Sequence, residues 1–263
     1  MPNTRLSRFS GPLWITALAL SALTLPLALH QPEATTSSRN TFTVDELLNT
    51  PPSDPCQFFG GENEMVEWFI KMDLEGKLIP MRVPTIFLED KSDHEEGVHH
   101  EEQHFTFMID NFLPVTLQQR VVILRAQRDN IYELKYAAFL VGDHIELPDI
   151  ISLMISRMGG RFDEMMPMEE FPTTQGPYGL TKVVPPEGNL DSNVYFALDA
   201  GGAPTTAITC YTQASLAYPN CNMHFRASGL DVKVEDFKEF FLPRWASIKH
   251  DVERFLSCAT VFE

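Results

Sequence analysis

Basic residues are scarce in this 263-residue chain: 20 Lys and Arg stand against 36 Asp and Glu, a formal charge of −16. A phosphate-binding surface works by clustering Lys and Arg to displace counterions, so this balance excludes a nucleic-acid-binding protein. No Walker-type loop, no GxGxxG and no GxSxG occurs, which removes the common nucleotide-loop, dinucleotide-fold and hydrolase-elbow readings. Four cysteines in a chain of this length and hydrophobic content do not make a disulfide miniprotein, and no internal repeat of fixed period is present. What is there is a foldable composition: 44% hydrophobic and 11% aromatic residues, enough for one large domain or two small ones.

The N-terminus sets the expected compartment. Arg5 and Arg8 precede an uncharged stretch from Gly11 to Leu29, GPLWITALALSALTLPLAL, of 19 residues. That is long for the apolar part of a signal peptide and close to the roughly 20 residues that span hydrocarbon. Residues 1–30 therefore read as a signal peptide or a membrane anchor, and the flank Leu27-Ala28-Leu29-His30, without a small-x-small cleavage site, favours the anchor. No Cys lies near the end of the span, which argues against a bacterial lipoprotein. Positive charge ahead of the span leaves the rest outside the cytoplasm, in the periplasm or on the inner membrane facing it. Arg5 and Arg8 are the only charged residues up to His30, so the remainder holds 18 basic and 36 acidic residues and a charge of −18.

Residues 31–55, rich in Ser, Thr and Pro, read as a flexible linker, and 56–263 as the globular region. The spacing of Met65, Trp68, Phe69 and Met72 predicts a helix over 62–72. The run 78–88, broken by Pro80 and Pro84, predicts an edge or irregular strand, with 104–113 as its antiparallel mate and 89–103 as the connecting loop. VVILRAQ (121–127) and YELKYAAFLVG (132–142) are further strand candidates, the second also readable as a helix. Ile150, Ile151, Met154 and Met158 predict a helix over 147–158, ending before Gly159-Gly160. The irregular stretch 159–193 raises a subdivision into 56–158 and 175–263.

The C-terminal third carries strand candidates at 194–199, 205–212, 222–227 and 232–237, a meander punctuated by turn residues. It runs into 243–258, where Trp245, Ile248, Val252, Phe255 and Leu256 form one apolar helical stripe. The expected class is α+β: antiparallel meanders with a C-terminal amphipathic helix packed on the sheet. Cys210 and Cys221 lie on neighbouring strand candidates across a short loop, close enough for a disulfide. Cys56 and Cys258 then pair across the two ends of the globular region, or remain buried thiols.

The densest chemistry-bearing segment is DHEEGVHHEEQH, 93–104, in which His94, His99, His100 and His104 stand among four glutamates. Imidazoles with carboxylates suit a divalent metal, and HEEQH literally matches the HExxH of zinc peptidases, where two ligands and a general base share one helical turn. The alternation of 105–109 predicts a strand instead, and no third ligand follows. Solvated acidic loop, metal-binding loop and metal-dependent hydrolase stay open here; apart from such a metal, no cofactor is expected. His144, His224 and His250 read as structural.

Two groups of residues carry a family resemblance. RVPTIFL (82–88) with FLP (112–114), and ITC, PNC, HF, LPRW and the Ile248, Val252, Leu256 helix, resemble exported proteins of Gram-negative bacteria, some of them type VI secretion immunity proteins. The resemblance implies a periplasmic protein that binds a protein partner, with no catalytic residues to carry over. The acid excess adds that the partner is basic and that encounter is steered electrostatically.

Overall fold

In the computed structural model the described residues are 42–260, apart from 74, 159–164, 166, 185–191 and 213–218. The candidate export segment 1–30 lies outside them. Residues 42–55, read as part of the linker, contain a short helix, α1 (Val44–Asn49), opened by a Thr43/Glu46 capping box and burying Leu47 completely.

The segment expected to be a helix at 62–72 is a strand, β1 (Met65–Met72). Val66, Trp68, Ile70 and Met72 are buried in strict alternation with outward Glu67 and Lys71, a period of two that eight residues also fit. It pairs antiparallel with β2 (Lys77–Pro84), an edge strand that tolerates Pro80 and Pro84. The other edge is filled by β3 (His99–His100), parallel to β1. The mate of 78–88 is thus β1 and not 104–113, because a tight turn at Gly76 makes the hairpin local. The acidic segment adds a strand to this small sheet instead of closing a hairpin loop.

The strand β4 (Glu102–Met108) belongs to a second, eight-stranded sheet, where it pairs with β5 (Tyr136–Gly142). Between them 121–127 is not a strand but part of α2 (Leu117–Ala126). A Thr116/Gln119 capping box starts that helix, which buries Ile123 and leaves Leu117, Val121, Val122 and Leu124 exposed. After α3 (Leu147–Met158) come β6 (Thr173–Gln175) and β7 (Thr181–Val183), and then the expected meander: β8 (Ser192–Leu198), β9 (Pro204–Tyr211), β10 (Asn220–Ala227) and β11 (Leu230–Lys238). The order is β4-β5-β11-β10-β9-β8-β7-β6 with every pairing antiparallel, so strands from both sides of 159–174 share one sheet through the β5–β11 ladder.

The final helix, α4 (Trp245–Thr260), lays Ile248, Val252, Phe255, Leu256 and Ala259 into the main core. Phe255 touches the rings of Phe59, Phe87, Phe105, Phe112 and Phe139, with centroids 4.9 to 5.7 Å away. The fold is the α+β class read from the sequence, antiparallel sheets with a C-terminal helix packed on them. A smaller core on the opposite face joins Ile151, Ile155 and Met158 of α3 to Val183, Val194, Phe196 and Ala207. The sheet therefore lies between α4 on one side and α3 on the other.

Candidate functional site

Strand alternation fixes what the α3 side of the large sheet presents. On β9 and β10, Ile208, Cys210, Cys221 and Met223 point into the main core, so Thr209, Asn222 and His224 point to the other face. Register extends this row: His224 lies opposite Lys233, Lys233 opposite Leu140, and Leu140 opposite His104. α3 covers the β7–β9 end of this face. Beside it lies a cleft of about 960 Å³, with Leu140, Thr209, Asn222, His224 and Lys233 as its floor. Ile150, Leu153 and Met154 of α3 form an apolar wall that ends in the exposed Arg157, and Lys71, Asp73, Glu101 and Glu102 line the cleft with net negative charge. His144 and Ile145, between β5 and α3, close one end.

The floor is polar and held close to neutral. Lys233 pairs with Glu235, and Lys71 with Asp73 at 2.8 Å. Burial, reinforced by the Lys233 ammonium and by His144, pushes His224 down to a pKa of about 3, so its imidazole is uncharged at any ordinary pH. Asp231 is pushed up by burial against the pull of the His144 backbone N–H, which donates to its carboxylate at 3.0 Å. Asn222 Oδ1 accepts from the backbone N–H of Asp236 at 3.1 Å, beside the register shift between β10 and β11 where Asp236 adopts a positive φ of 56°. Three of the residues that line the cleft each carry a buried polar atom, out of reach of solvent, with no hydrogen-bond partner among the described residues: Thr209 Oγ1, His224 Nδ1 and His144 Nε2.

The histidines of 93–104 are dispersed. His94 ends a 3-10 turn, Lys91–His94. His99 and His100 are successive strand residues and so face opposite ways, His99 against Phe69 at 5.4 Å and His100 against Trp68 at 5.1 Å. His104 lies on β4, where desolvation and the Arg120 guanidinium lower its pKa although part of the side chain is exposed. His100 belongs to β3 of the small sheet and His104 to β4 of the large one, with a bend at Glu101 between them, so the single helical turn that HExxH requires does not form. Among the described residues no three His, Cys, Asp or Glu side chains come together as a metal-holding group.

The acidic segment is nonetheless ordered rather than a free loop. Glu96 accepts from the backbone N–H of Glu67 at 3.0 Å, the Gly97 N–H donates to the Glu67 carbonyl at 2.8 Å, and Gln103 donates to Asp93 at 2.9 Å. These bonds set Glu101 and Glu102 at the mouth of the cleft, exposed and without an ion pair among the described residues. Both cysteine pairs are bridged: Cys210–Cys221 joins facing residues of β9 and β10, and Cys56–Cys258 ties the 3-10 turn Pro55–Phe59 to α4.

No family model matches the chain, and no curated protein does. Among solved structures it is similar to an immunity protein of the Stenotrophomonas maltophilia type IV secretion system, at 14% identity and a TM-score of 0.48, over 73% of this chain and 92% of that one. It is also similar to an iron-regulated outer membrane lipoprotein of Neisseria meningitidis, at 11% identity and a TM-score of 0.44, over 80% of this chain and 96% of that one. The first belongs to a type IV system, where the sequence resemblance pointed to type VI. At these identities and scores neither likeness assigns a function.

Thr209, Asn222, Lys233 and the pair His144 and His224 went unread as a site in the sequence. The signal that finds them is the disulfide: placing Cys210 opposite Cys221 sets Thr209 opposite Asn222 and puts His224 on the same face.

Proposed function

We propose that this chain is an exported, periplasm-facing binding protein that engages a basic protein partner through the acidic mouth of the cleft, in the manner of an immunity protein that neutralises a secreted toxin. The observation that carries this reading is the rim: Glu101 and Glu102 are exposed, not ion-paired among the described residues, and held beside a large concave surface on a chain of charge −16. Such a field concentrates and orients a basic partner before contact and raises its association rate. Two disulfides support an oxidising compartment, since cytosolic thiols are kept reduced. The N-terminal span would deliver or tether the domain there.

Cross-linking pull-down from periplasmic extract should recover one basic protein whose association slows as salt rises. Glu101→Lys with Glu102→Lys should slow that association several-fold and leave dissociation little changed. An association rate indifferent to both salt and charge reversal would remove the rim from the mechanism.

A further inference from the structure

We propose that α2 is a membrane-docking surface, which lays its exposed apolar face and two arginines on an anionic phospholipid bilayer. Exposed apolar side chains are ordinarily scattered over a protein surface, and a cluster of them marks an interaction site. Four of the twelve large hydrophobic residues exposed among the described residues sit within eight positions of this one helix: Leu117, Val121, Val122 and Leu124. Leu117, Val121 and Leu124 follow one another at i, i+4 and i+7 and so share a face, while Ile123 turns into the core.

The charge on that helix is the reverse of the chain's. It carries no acidic residue, and its Arg120 is held by Glu89 at 2.9 Å. Arg125 and, just past the helix, Arg128 are exposed and not ion-paired among the described residues. The acids around them include Asp129, and Asp45 and Glu46 of the adjoining α1, where Glu46 is taken up by the Thr43 cap. On a chain of charge −16 such a face matches anionic headgroups at its arginines and hydrocarbon at its leucines and valines, as interfacial helices do. The basic partner proposed for the acidic rim finds no carboxylate on this helix, and a second copy is opposed by the like charge of the two chains. The polypeptide also enters the domain against α2: the Phe42 carbonyl accepts from Gln119 Nε2. Twelve residues, 30–41, separate Phe42 from the apolar stretch Gly11–Leu29. Even fully extended they reach only about 45 Å, at roughly 3.5 Å per residue. A tether that short holds the helix at a high effective concentration beside the bilayer, and α2 adds the second attachment that stable anchoring uses. The docking rests on the membrane tether of the proposed function and not on its protein partner.

The test is hydroxyl-radical footprinting of the full-length protein in nanodiscs of phosphatidylglycerol, in nanodiscs of phosphatidylcholine and in detergent. Retention on phosphatidylcholine discs needs only the N-terminal span and reads the tether, whereas labelling of α2 reads the docking. Leu117, Val121, Val122 and Leu124 should be labelled several-fold less on phosphatidylglycerol than on phosphatidylcholine. Leu198 of β8 and Val184 beside β7, exposed at the end of the large sheet away from β4 and β5, should show no difference. Arg125→Glu with Arg128→Glu should abolish the difference between the lipids, and Val121→Ser with Leu124→Ser should restore the labelling of Leu117 and Val122. All four substituted positions are exposed, so neither variant disturbs the core. An α2 labelled alike on both lipids, in protein retained on the discs, would overturn the docking and leave the tether; protein absent from both discs would overturn both. Protection that follows protein concentration and not lipid would give the face to a second copy, and would overturn the assignment as well.

Discussion

Opening the Cys56–Cys258 bridge should change the unfolded chain far more than opening Cys210–Cys221. The bridges span sequence separations of 202 and 11 residues. In the chain-entropy account, constraint of the unfolded state is then worth about 5 kcal/mol for the long loop and about 3 kcal/mol for the short one. Packing acts in the opposite sense. Cys210 and Cys221 are fully buried, whereas Cys56 and Cys258 keep partial solvent contact. Replacing the inner pair by Ala adds about 1–2 kcal/mol of lost sulfur contacts, so the two double variants end at similar stabilities. The denaturant slope separates them. Freed of a cross-link between its ends, the unfolded chain of Cys56→Ala/Cys258→Ala expands and exposes more surface, and m rises; Cys210→Ala/Cys221→Ala keeps m near the parent value. Guanidinium unfolding of the three non-reduced proteins, followed by tryptophan fluorescence with Trp68 as a fully buried reporter, measures both quantities. An unchanged m in the outer-pair variant, or a loss below about 2 kcal/mol there, would refute the idea that this bridge acts by restraining the unfolded chain.

Two further outcomes follow from the core and the cleft. The folded pKa of His224 is depressed to about 3 from 6.5, so the unfolded chain binds a proton that the native chain refuses as pH falls below about 6.5. This residue alone should tilt stability downward by up to about 1.4 kcal/mol per pH unit between about 6.5 and 3, less where solvent reaches the ring. His224→Gln should flatten the urea-midpoint profile over pH 6 to 4; an unchanged slope would mean that His224 is charged in the native state. Phe255→Ala should cost about 3–5 kcal/mol, because the ring fills the centre of five others and the helix backbone cannot collapse into the gap; thermal unfolding reads it, and a loss under 1 kcal/mol would mean that the aromatic core repacks.

Legibility from sequence followed the length and isolation of each periodic signal. The α3 segment is twelve residues with one apolar face, and α4 carries its stripe over four turns, so both are unambiguous. The meander is legible because turn residues separate its strands. β1 is misread because Met65, Trp68, Phe69 and Met72 satisfy a helical spacing while Val66, Trp68, Ile70 and Met72 satisfy a strand, and eight residues do not separate the two. α2 is misread for the opposite reason: Val121, Val122, Ile123 and Leu124 look like a strand core, yet only Ile123 is buried. The Thr116-x-x-Gln119 box was the local signal that outweighs β-propensity there. The partner of β4 was not legible, because pairing of β4 with β5 across the intervening helix is set by the tertiary fold and not by neighbouring residues.

The cleft floor shows why one disulfide bears on structure and site together. A strand slipped by one residue turns every side chain to the other face. Such a slip between β9 and β10 would carry Asn222 and His224 into the apolar core and expose Cys221 and Met223. In an ordinary sheet the apolar pattern alone resists this. Here the outer face of β10 is polar but half-buried: His224 Nδ1 has no hydrogen-bond partner among the described residues, and Asn222 Oδ1 accepts from the backbone N–H of Asp236. A covalent bond between facing residues, Cα atoms 4.0 Å apart, forbids the slip outright. The same bond therefore holds Thr209, Asn222 and His224 on the face that floors the cleft, against the register slip that would turn Asn222 and His224 inward.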